Sequence, residues 1–315
     1  MTEGKRVLVT GGAGFVGATL VRQLVERGHA VRVYDNYTTG SAEHLLGVDA
    51  EQVRGDIRDA PALDAALAGM DAIVHLAAAG SVVKSVEDPA ANFDVNVLGT
   101  FRVLDAARRA GIERTVQAST GGALIGNATP PVDELSLPRP ISPYGASKLA
   151  GEGYAFSFSQ CYGLRTVALR FANVYGPWMA RKQGVINMFF TAVRDGQPMV
   201  IYGDGTSSRD YIHVEDIARA LRLALEADVP GGTVLHIASG VETTVADLAR
   251  LCAAAAGVPD HPVEYRPGRP GEVDRNFATY DLAKQVLGYE PTIAREDGIP
   301  GTWRWFAGHG FPPAG

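Results

Sequence analysis

The stretch Arg6–Gly17, RVLVTGGAGFVG, decides the fold. Five residues, mostly β-branched or leucine, make a short apolar run of the kind that forms a strand buried on both faces. Gly11, Gly14 and Gly17 follow at once, in a GxxGxxG spacing that leads into a helical pattern over Ala18–Arg27. That helix places Leu20, Val21, Leu24 and Val25 on one face, and Gly28 ends it. Glycines between a strand and a helix let the chain turn sharply and let backbone N–H groups approach a diphosphate. The positive end of the helix dipole adds to the attraction. The next strand, Ala30–Asp35 (AVRVYD), ends on an acid. At that distance from the glycines a carboxylate can accept from an adenosine ribose, and it disfavours a 2′-phosphate, so NAD is expected rather than NADP.

The same alternation continues outward. Strands are expected at a third position before Gly55, at Ala72–Leu76, at Thr115–Ala118 and at Thr166–Arg170, with helices over Pro89–Ala110 and Tyr144–Tyr162. Near-continuous apolar strands alternating with helices predict an α/β protein, a doubly wound parallel sheet covered on both faces. Asp56-Ile57 after the third strand is a candidate adenine contact, and Leu76-Ala77-Ala78 supplies small residues at the end of the fourth. Beyond Val174 the segments VYGPW, IYGDGTSSRDY and YRPGRPGEV are rich in Gly, Pro and Arg. They predict a smaller C-terminal region facing a substrate. The helix near Val214–Leu225 and the strand Val234–Ile237 are expected to return to the main sheet. This divides the chain into residues 1–175 and 176–315.

Composition narrows the function classes. At 46% hydrophobic residues, 315 positions can bury a large core. A formal charge of -6 is a poor match for a polyanion, so nucleic acid is not expected as a partner. No window approaches the roughly 18 apolar residues of a membrane span. Two cysteines, Cys161 and Cys252, make neither a disulfide framework nor a metal-ligand pattern, and no signal-like leader is evident. A cytoplasmic protein without metal is expected.

Ser142-Pro143-Tyr144-Gly145-Ala146-Ser147-Lys148 carries the candidate chemistry. Ser142 can cap a helix and Pro143 suits its first turn. Tyr144 and Lys148 then share a face at i, i+4. An ammonium beside a phenol favours the phenolate, and a phenol so tuned can take an alcohol proton. Ser119-Thr120, at the end of a strand, offers hydroxyls to the same oxygen.

Taken in order, GGAGFVG, YGASK, RFANVYGP, YGDGTSSRDYIHVEDIA and RPGRPGEV resemble the extended short-chain dehydrogenase/reductase superfamily, in its NAD-dependent nucleotide-sugar epimerase branch. The likeness covers nearly the whole chain and implies a Rossmann-type fold with a smaller nucleotide-sugar-binding region. It implies that Tyr144 is base and acid at the sugar 4-hydroxyl, that Lys148 holds the nicotinamide ribose, and that Thr120, with Ser119, assists. NAD would contact Gly11, Gly14, Phe15, Val16, Gly17, Asp35, Asn36, Asp56, Ile57, Leu76, Ala77, Ala78, Asn96, Tyr144, Lys148, Phe171 and Val174. The substrate would meet Thr120, Tyr144, Asn173, Asn187, Arg209, Tyr211 and Arg269, the two arginines gripping a diphosphate. Arg181 and Lys182 are candidates for a sugar carboxylate. The sequence departs from the pattern at Gly121-Gly122, where relatives carry a hydroxyl or, in dehydratases, an acid pair, and at Ile125, where a tyrosine is frequent. The resemblance favours 4-epimerisation of UDP-glucose and UDP-galactose. It leaves open UDP-glucuronate epimerisation or decarboxylation, a dTDP-sugar reaction, and a catalytically silent NAD-binding regulator. It also implies a homodimer.

Overall fold

A computed structural model describes residues 4–112, 114–179, 184–268 and 274–309. Six strands come first: β1 Arg6–Thr10, β2 Ala30–Asp35, β3 Glu51–Arg54, β4 Ala72–His75, β5 Arg114–Thr120 and β6 Arg165–Phe171. Seven follow: β7 Asn173–Tyr175, β8 Met199–Tyr202, β9 Ser208–His213, β10 Thr233–Ile237, β11 Glu242–Thr244, β12 Val263–Arg266 and β13 Arg275–Asn276. The main sheet is wholly parallel in the order β10-β6-β5-β4-β1-β2-β3.

Strand alternation sorts its residues into two cores. Val7 and Val9 point to one face, into a cluster with Leu20, Leu24, Val116, Leu169, Ile217 and Leu221; Leu8 points to the other, among Leu63, Ile73, Leu104 and Phe158. Helix Phe15–Glu26 packs on helix Val214–Glu226 over the first face. The chain therefore returns to the Rossmann-type sheet late, with β10 completing its edge beside β6.

The helix expected over Pro89–Ala110 is broken in two. Pro89–Phe93 and Gly99–Arg109 are α-helical, and Asp94–Leu98 between them forms a wider π turn. Such turns occur where a side chain must be re-aimed. This one turns Asn96 inward: its side-chain oxygen accepts from Ala79 N (2.8 Å), and its nitrogen donates to Ala79 O (3.1 Å) and Ser147 Oγ (3.1 Å).

The smaller region is built around β9, which pairs with β7, β11 and β13, while β8 pairs with β12. Its own core holds Phe189, Phe190, Ile201, Leu248 and Phe306. Buried Asp210 of β9 ties it to the sheet by accepting from Ser239 N (2.9 Å), Ser239 Oγ (2.8 Å) and Gly240 N (2.8 Å) just after β10. No helix of the described residues is long and apolar enough to cross a membrane.

Gly17 is the tightest point of the first turn: a Cβ there would stand 2.2 Å from Gly11 O and 2.6 Å from Gly12 Cα, both backbone atoms that cannot swing aside. Gly17→Ala is therefore expected to cost about 2–3 kcal/mol by overpacking, read as a lower urea midpoint at unchanged slope.

Candidate active site

The site is assembled at the carboxyl ends of β1, β2, β4, β5 and β6. Gly11 leaves β1 with φ +70°, and a Cβ there would lie 2.7 Å from Ala77 N, so the turn presses against the end of β4. Gly14 then starts helix Phe15–Glu26 with no side-chain cap and no acid in the first turn, unlike the helices capped by Asp59, Ser142 and Thr244. Its uncapped N-terminus retains the partial positive charge that suits a diphosphate. Phe15 and Val16 are half-buried in that first turn.

Asp35 closes the cradle. One oxygen accepts from Ala13 N (3.0 Å) and the other from Tyr37 N (2.8 Å). Burial pushes its carboxyl up, while these two N–H groups and His44 pull it down. Each oxygen keeps a second lone pair for a ribose hydroxyl. The glycine cradle, the uncapped helix end and the strand-end acid fit a dinucleotide.

Other expected NAD contacts are placed differently. Asp56 is held by Arg58 through both oxygens (2.9 Å each) and by Asn36 Nδ2 (2.9 Å), and the Arg58 hydrogen bonds keep it well below the usual carboxylate range. Its side chain braces the turn, with Asn36 as partner. Ile57 does not offer its side chain to a ring: it is 4% exposed, and Gly99 is so close that a Cβ there would lie 2.6 Å from Ile57 Cδ1. Asn96 spends its amide on Ala79 and Ser147, so it supports the segment after β4 from behind. Leu76, Ala77 and Ala78 lie half-buried in that segment, with Leu76 N donating to Thr10 O (3.0 Å). Phe171 is half-buried at the end of β6, and Val174 is packed into the core.

Helix Pro143–Tyr162 forms as the sequence predicts, with Ser142 Oγ accepting from Gly145 N (3.2 Å) and Pro143 in the first turn. Gly145 allows the turn after β5 to approach: a Cβ there would stand 2.0 Å from Ala123 O. Successive residues of β5 meet this helix. Gln117 Nε2 donates to Gly151 O (3.0 Å), Lys148 Nζ donates to Ala118 O (3.0 Å), and Ser119 Oγ donates to Glu152 Oε1 (2.6 Å). Thr120 faces the Tyr144 phenol through its hydroxyl.

Two expectations change here. The Tyr144 phenol is not lowered by Lys148; burial pushes it up to about 12, with the Thr120 hydroxyl pulling the other way. Lys148 directs its ammonium to the Ala118 carbonyl instead, and burial lowers it to about 8 against the opposing charge of Glu152. Ser119 does not share the Thr120 role in this geometry, because its hydroxyl is committed to Glu152, two helical turns beyond Tyr144.

On the substrate side, Asn173 begins β7, exposed, its Nδ2 donating to Asp210 O (3.2 Å). Asn187 sits in the first turn of helix Val185–Arg194. Arg209 lies inside β9 rather than in a loop, because it is paired on both sides, with Thr243 of β11 and Asn276 of β13; its Nη1 donates to Ser208 O (2.8 Å) and Asp274 O (3.3 Å). Tyr211, one strand residue pair further, is 6% exposed in the apolar core of the smaller region and lines no open surface. Arg181, Lys182 and Arg269 lie outside the described residues.

Some residues of the site were passed over in the sequence. Ser85 Oγ accepts from Tyr144 N (3.2 Å), anchoring the helix start. Asn276 of β13 stands so near Gly122 that a Cβ there would meet its Oδ1 at 2.9 Å. Glu152 and Arg170 form a buried ion pair through two contacts, Nε to Oε1 (3.0 Å) and Nη2 to Oε2 (2.8 Å). Only the i, i+4, i+8 spacing Tyr144–Lys148–Glu152 hinted at the last.

With this geometry in place, comparisons with known proteins are specific. The model of the NAD-dependent epimerase/dehydratase family matches residues 7–238. A UDP-glucose 4-epimerase from Mycolicibacterium smegmatis is 39% identical over 312 residues, covering 96% of this chain and 98% of the relative. The structure of UDP-glucose 4-epimerase from Thermotoga maritima with UDP-glucose superposes with a TM-score of 0.91 at 36% identity, covering 96% and 99% of the two chains. A dTDP-glucose 4,6-dehydratase from Streptomyces venezuelae with NAD bound gives 0.91 at 34% identity, covering 96% and 97%.

The placement of the two hydroxyls predicts a contrast in stability. Ser119→Ala removes a hydrogen bond to a buried carboxylate and is expected to cost roughly 1.5–3 kcal/mol in urea denaturation. Thr120→Val keeps the β-branched shape at the strand end and is expected to stay within about 1 kcal/mol of the parent.

Proposed function

The chain belongs to the NAD-dependent epimerase/dehydratase family, and from that premise we propose that it catalyses 4-epimerisation of a nucleotide sugar, with UDP-glucose and UDP-galactose as the preferred pair. The observation that carries this reading is the Tyr144 phenol facing the Thr120 hydroxyl where β5 runs through Gly121 into the short helix Gly122–Ile125, which brings no acid. Epimerisation needs a proton acceptor and room for a flat keto sugar to turn over. Elimination of water needs an additional acid, and neither Gly121 nor Gly122 supplies one.

Bound NAD supplies the reversible hydride acceptor, held by Gly11, Gly14, Gly17 and Asp35, with Lys148 at the nicotinamide ribose. The remaining work falls to the chain. Tyr144 takes the proton from the sugar O4 and returns it to the same oxygen after the sugar has presented its other face. Thr120 donates to the oxygen of the phenolate and so favours the ionised form that burial opposes. Arg209, with Arg269, holds the diphosphate, and Asn173 and Asn187 contact the sugar-nucleotide backbone. Residues 1–175 bind the dinucleotide and residues 176–315 mainly the nucleotide sugar. Two copies pair through helices Val82–Glu87, Pro89–Phe93, Gly99–Arg109 and Pro143–Tyr162, where exposed Val83, Val86, Phe93, Phe156 and Tyr162 support a homodimer, and the cytoplasm is the compartment proposed for it.

Purified protein incubated without added NAD is expected to convert UDP-glucose to UDP-galactose, resolved by chromatography. Tyr144→Phe is expected to lower kcat by about 10²–10⁴-fold with KM near that of the parent. A dehydrated keto sugar, or a pentose from UDP-glucuronate, would replace this reading with dehydration or decarboxylation. A bound cofactor that no sugar nucleotide reduces would point to a regulator.

A further inference from the structure

Behind the candidate site lies a buried polar group that the proposed reaction does not use. Glu152 and Arg170 have side chains only 6% exposed, and Ser119 Oγ completes the cluster at 2.6 Å from Glu152 Oε1. Burying an ion pair costs more desolvation than its attraction returns unless other hydrogen bonds satisfy it. Apolar side chains would fill the same space, so its presence under the end of β5 asks for a reason. Arg170 Nη1 is buried without a hydrogen-bond partner, as is Nε2 of His236, which stands opposite Arg170 in the register of β6 and β10. The cluster is thus not arranged for the greatest stability.

Its geometry faces the reaction instead. Glu152 is one helical turn beyond Lys148 and two beyond Tyr144 on the same helix. Lys148 and Glu152 grip adjacent residues of β5, Ala118 and Ser119, and the next residue is Thr120. Among the described residues, titratable groups from several elements surround Lys148 and its neighbour Glu152. His75 of β4, fully engaged by Thr10 Oγ1 (2.8 Å) and Thr100 Oγ1 (3.0 Å), is held neutral by burial. Tyr144 and Glu152 come from its own helix, Arg170 from β6 through Glu152, and His236 from β10 beside Arg170. Glu134, whose Oε1 accepts from His236 N (2.6 Å), and Asp133 lie on the far side of Arg170 and His236, and Glu152 is the carboxylate that acts on Lys148 itself.

We propose that Glu152 is a positioning residue for the reaction: clamped by Arg170 and Ser119, it supplies the fixed negative charge that faces Lys148 and holds the Ser119–Thr120 strand end against Tyr144. This rests on the reading of Lys148 as an active-site cation and goes beyond it, since Glu152 is buried and both its oxygens are held by Arg170 and Ser119. Lys148 sits near its charge transition because burial lowers it to about 8 even with Glu152 in place. Without that anion it loses its proton at a lower pH.

The test uses Glu152→Gln, which keeps the shape and the acceptor for Ser119, together with the double variant Glu152→Met/Arg170→Met, which leaves no unpaired charge if the single variant folds poorly. Lys148 is labelled with acetic anhydride across pH 6–10 and its acetylation read by peptide mass spectrometry, a measurement that needs no turnover. The midpoint is expected to fall by about one pH unit in Glu152→Gln and by a smaller amount, in the same direction, in the double variant, which also removes the Arg170 cation. Where UDP-glucose is converted, the alkaline limb of kcat is expected to move by the same amount with KM within about threefold. An unmoved labelling midpoint, even with a lowered melting temperature, would reduce Glu152 to a structural residue and overturn the proposal. If the parent converts no sugar nucleotide, the proposed reaction fails, but the labelling result still decides the role of Glu152.

Discussion

The site depends on one contact surface, the face of helix Pro143–Tyr162 laid along β5. Gln117, Ala118, Ser119 and Thr120 each meet a different position of that helix, at Gly151, Lys148, Glu152 and Tyr144. Parallel strands leave their polar backbone ends together at one edge of the sheet, and a helix packed across that edge can satisfy or exploit them. Here the register of strand to helix puts a hydroxyl opposite the phenol and a carbonyl opposite the ammonium. A shift of one residue in β5 would exchange Ser119 for Thr120 and turn each side chain to the opposite face. Gly145 makes the approach possible, since any side chain there would strike Ala123 O.

Low polarity around these groups sets their chemistry. Tyr144 is raised, Lys148 lowered and His75 kept neutral, in each case with burial as the largest cause. In such surroundings a single hydroxyl or carboxylate has a large effect on the charge of its neighbour, because little water remains to screen it. Thr120 and Glu152 both act in that way, from opposite ends of the same strand–helix contact. The tuning is thus a property of the packed layer and not of the Tyr–Lys spacing alone.

The two halves of the fold are joined by buried carboxylates as well as by apolar contact. Asp210 links β9 to the turn after β10, and Asp216 accepts from Thr292 N (3.0 Å) and Ile293 N (3.1 Å), holding the C-terminal segment to the helix Val214–Glu226. Fully hydrogen-bonded buried carboxylates specify one arrangement of loops, because any other leaves them unpaired. They set where β9, and with it Arg209, stands relative to the main sheet.

The sequence alone determined the parallel α/β fold, the cradle of Gly11, Gly14 and Gly17, Asp35 at the end of β2, the Ser142 cap and the pairing of Tyr144 with Lys148 on one helix. These follow from local rules: strand and helix periodicity, glycine at tight turns and capping chemistry act within a few residues, so their signals survive in the linear order. Tertiary structure alone decided that Ser119 answers to Glu152 while Thr120 faces Tyr144, that Lys148 turns to Ala118, that Ile57 and Tyr211 are core side chains, and that Asn96 works through Ala79 from a π turn. Each of those depends on which of two neighbouring positions meets an element distant in sequence, and on how much water the meeting excludes. Neither quantity is carried by a motif, because burial and partner choice arise only when the layers close.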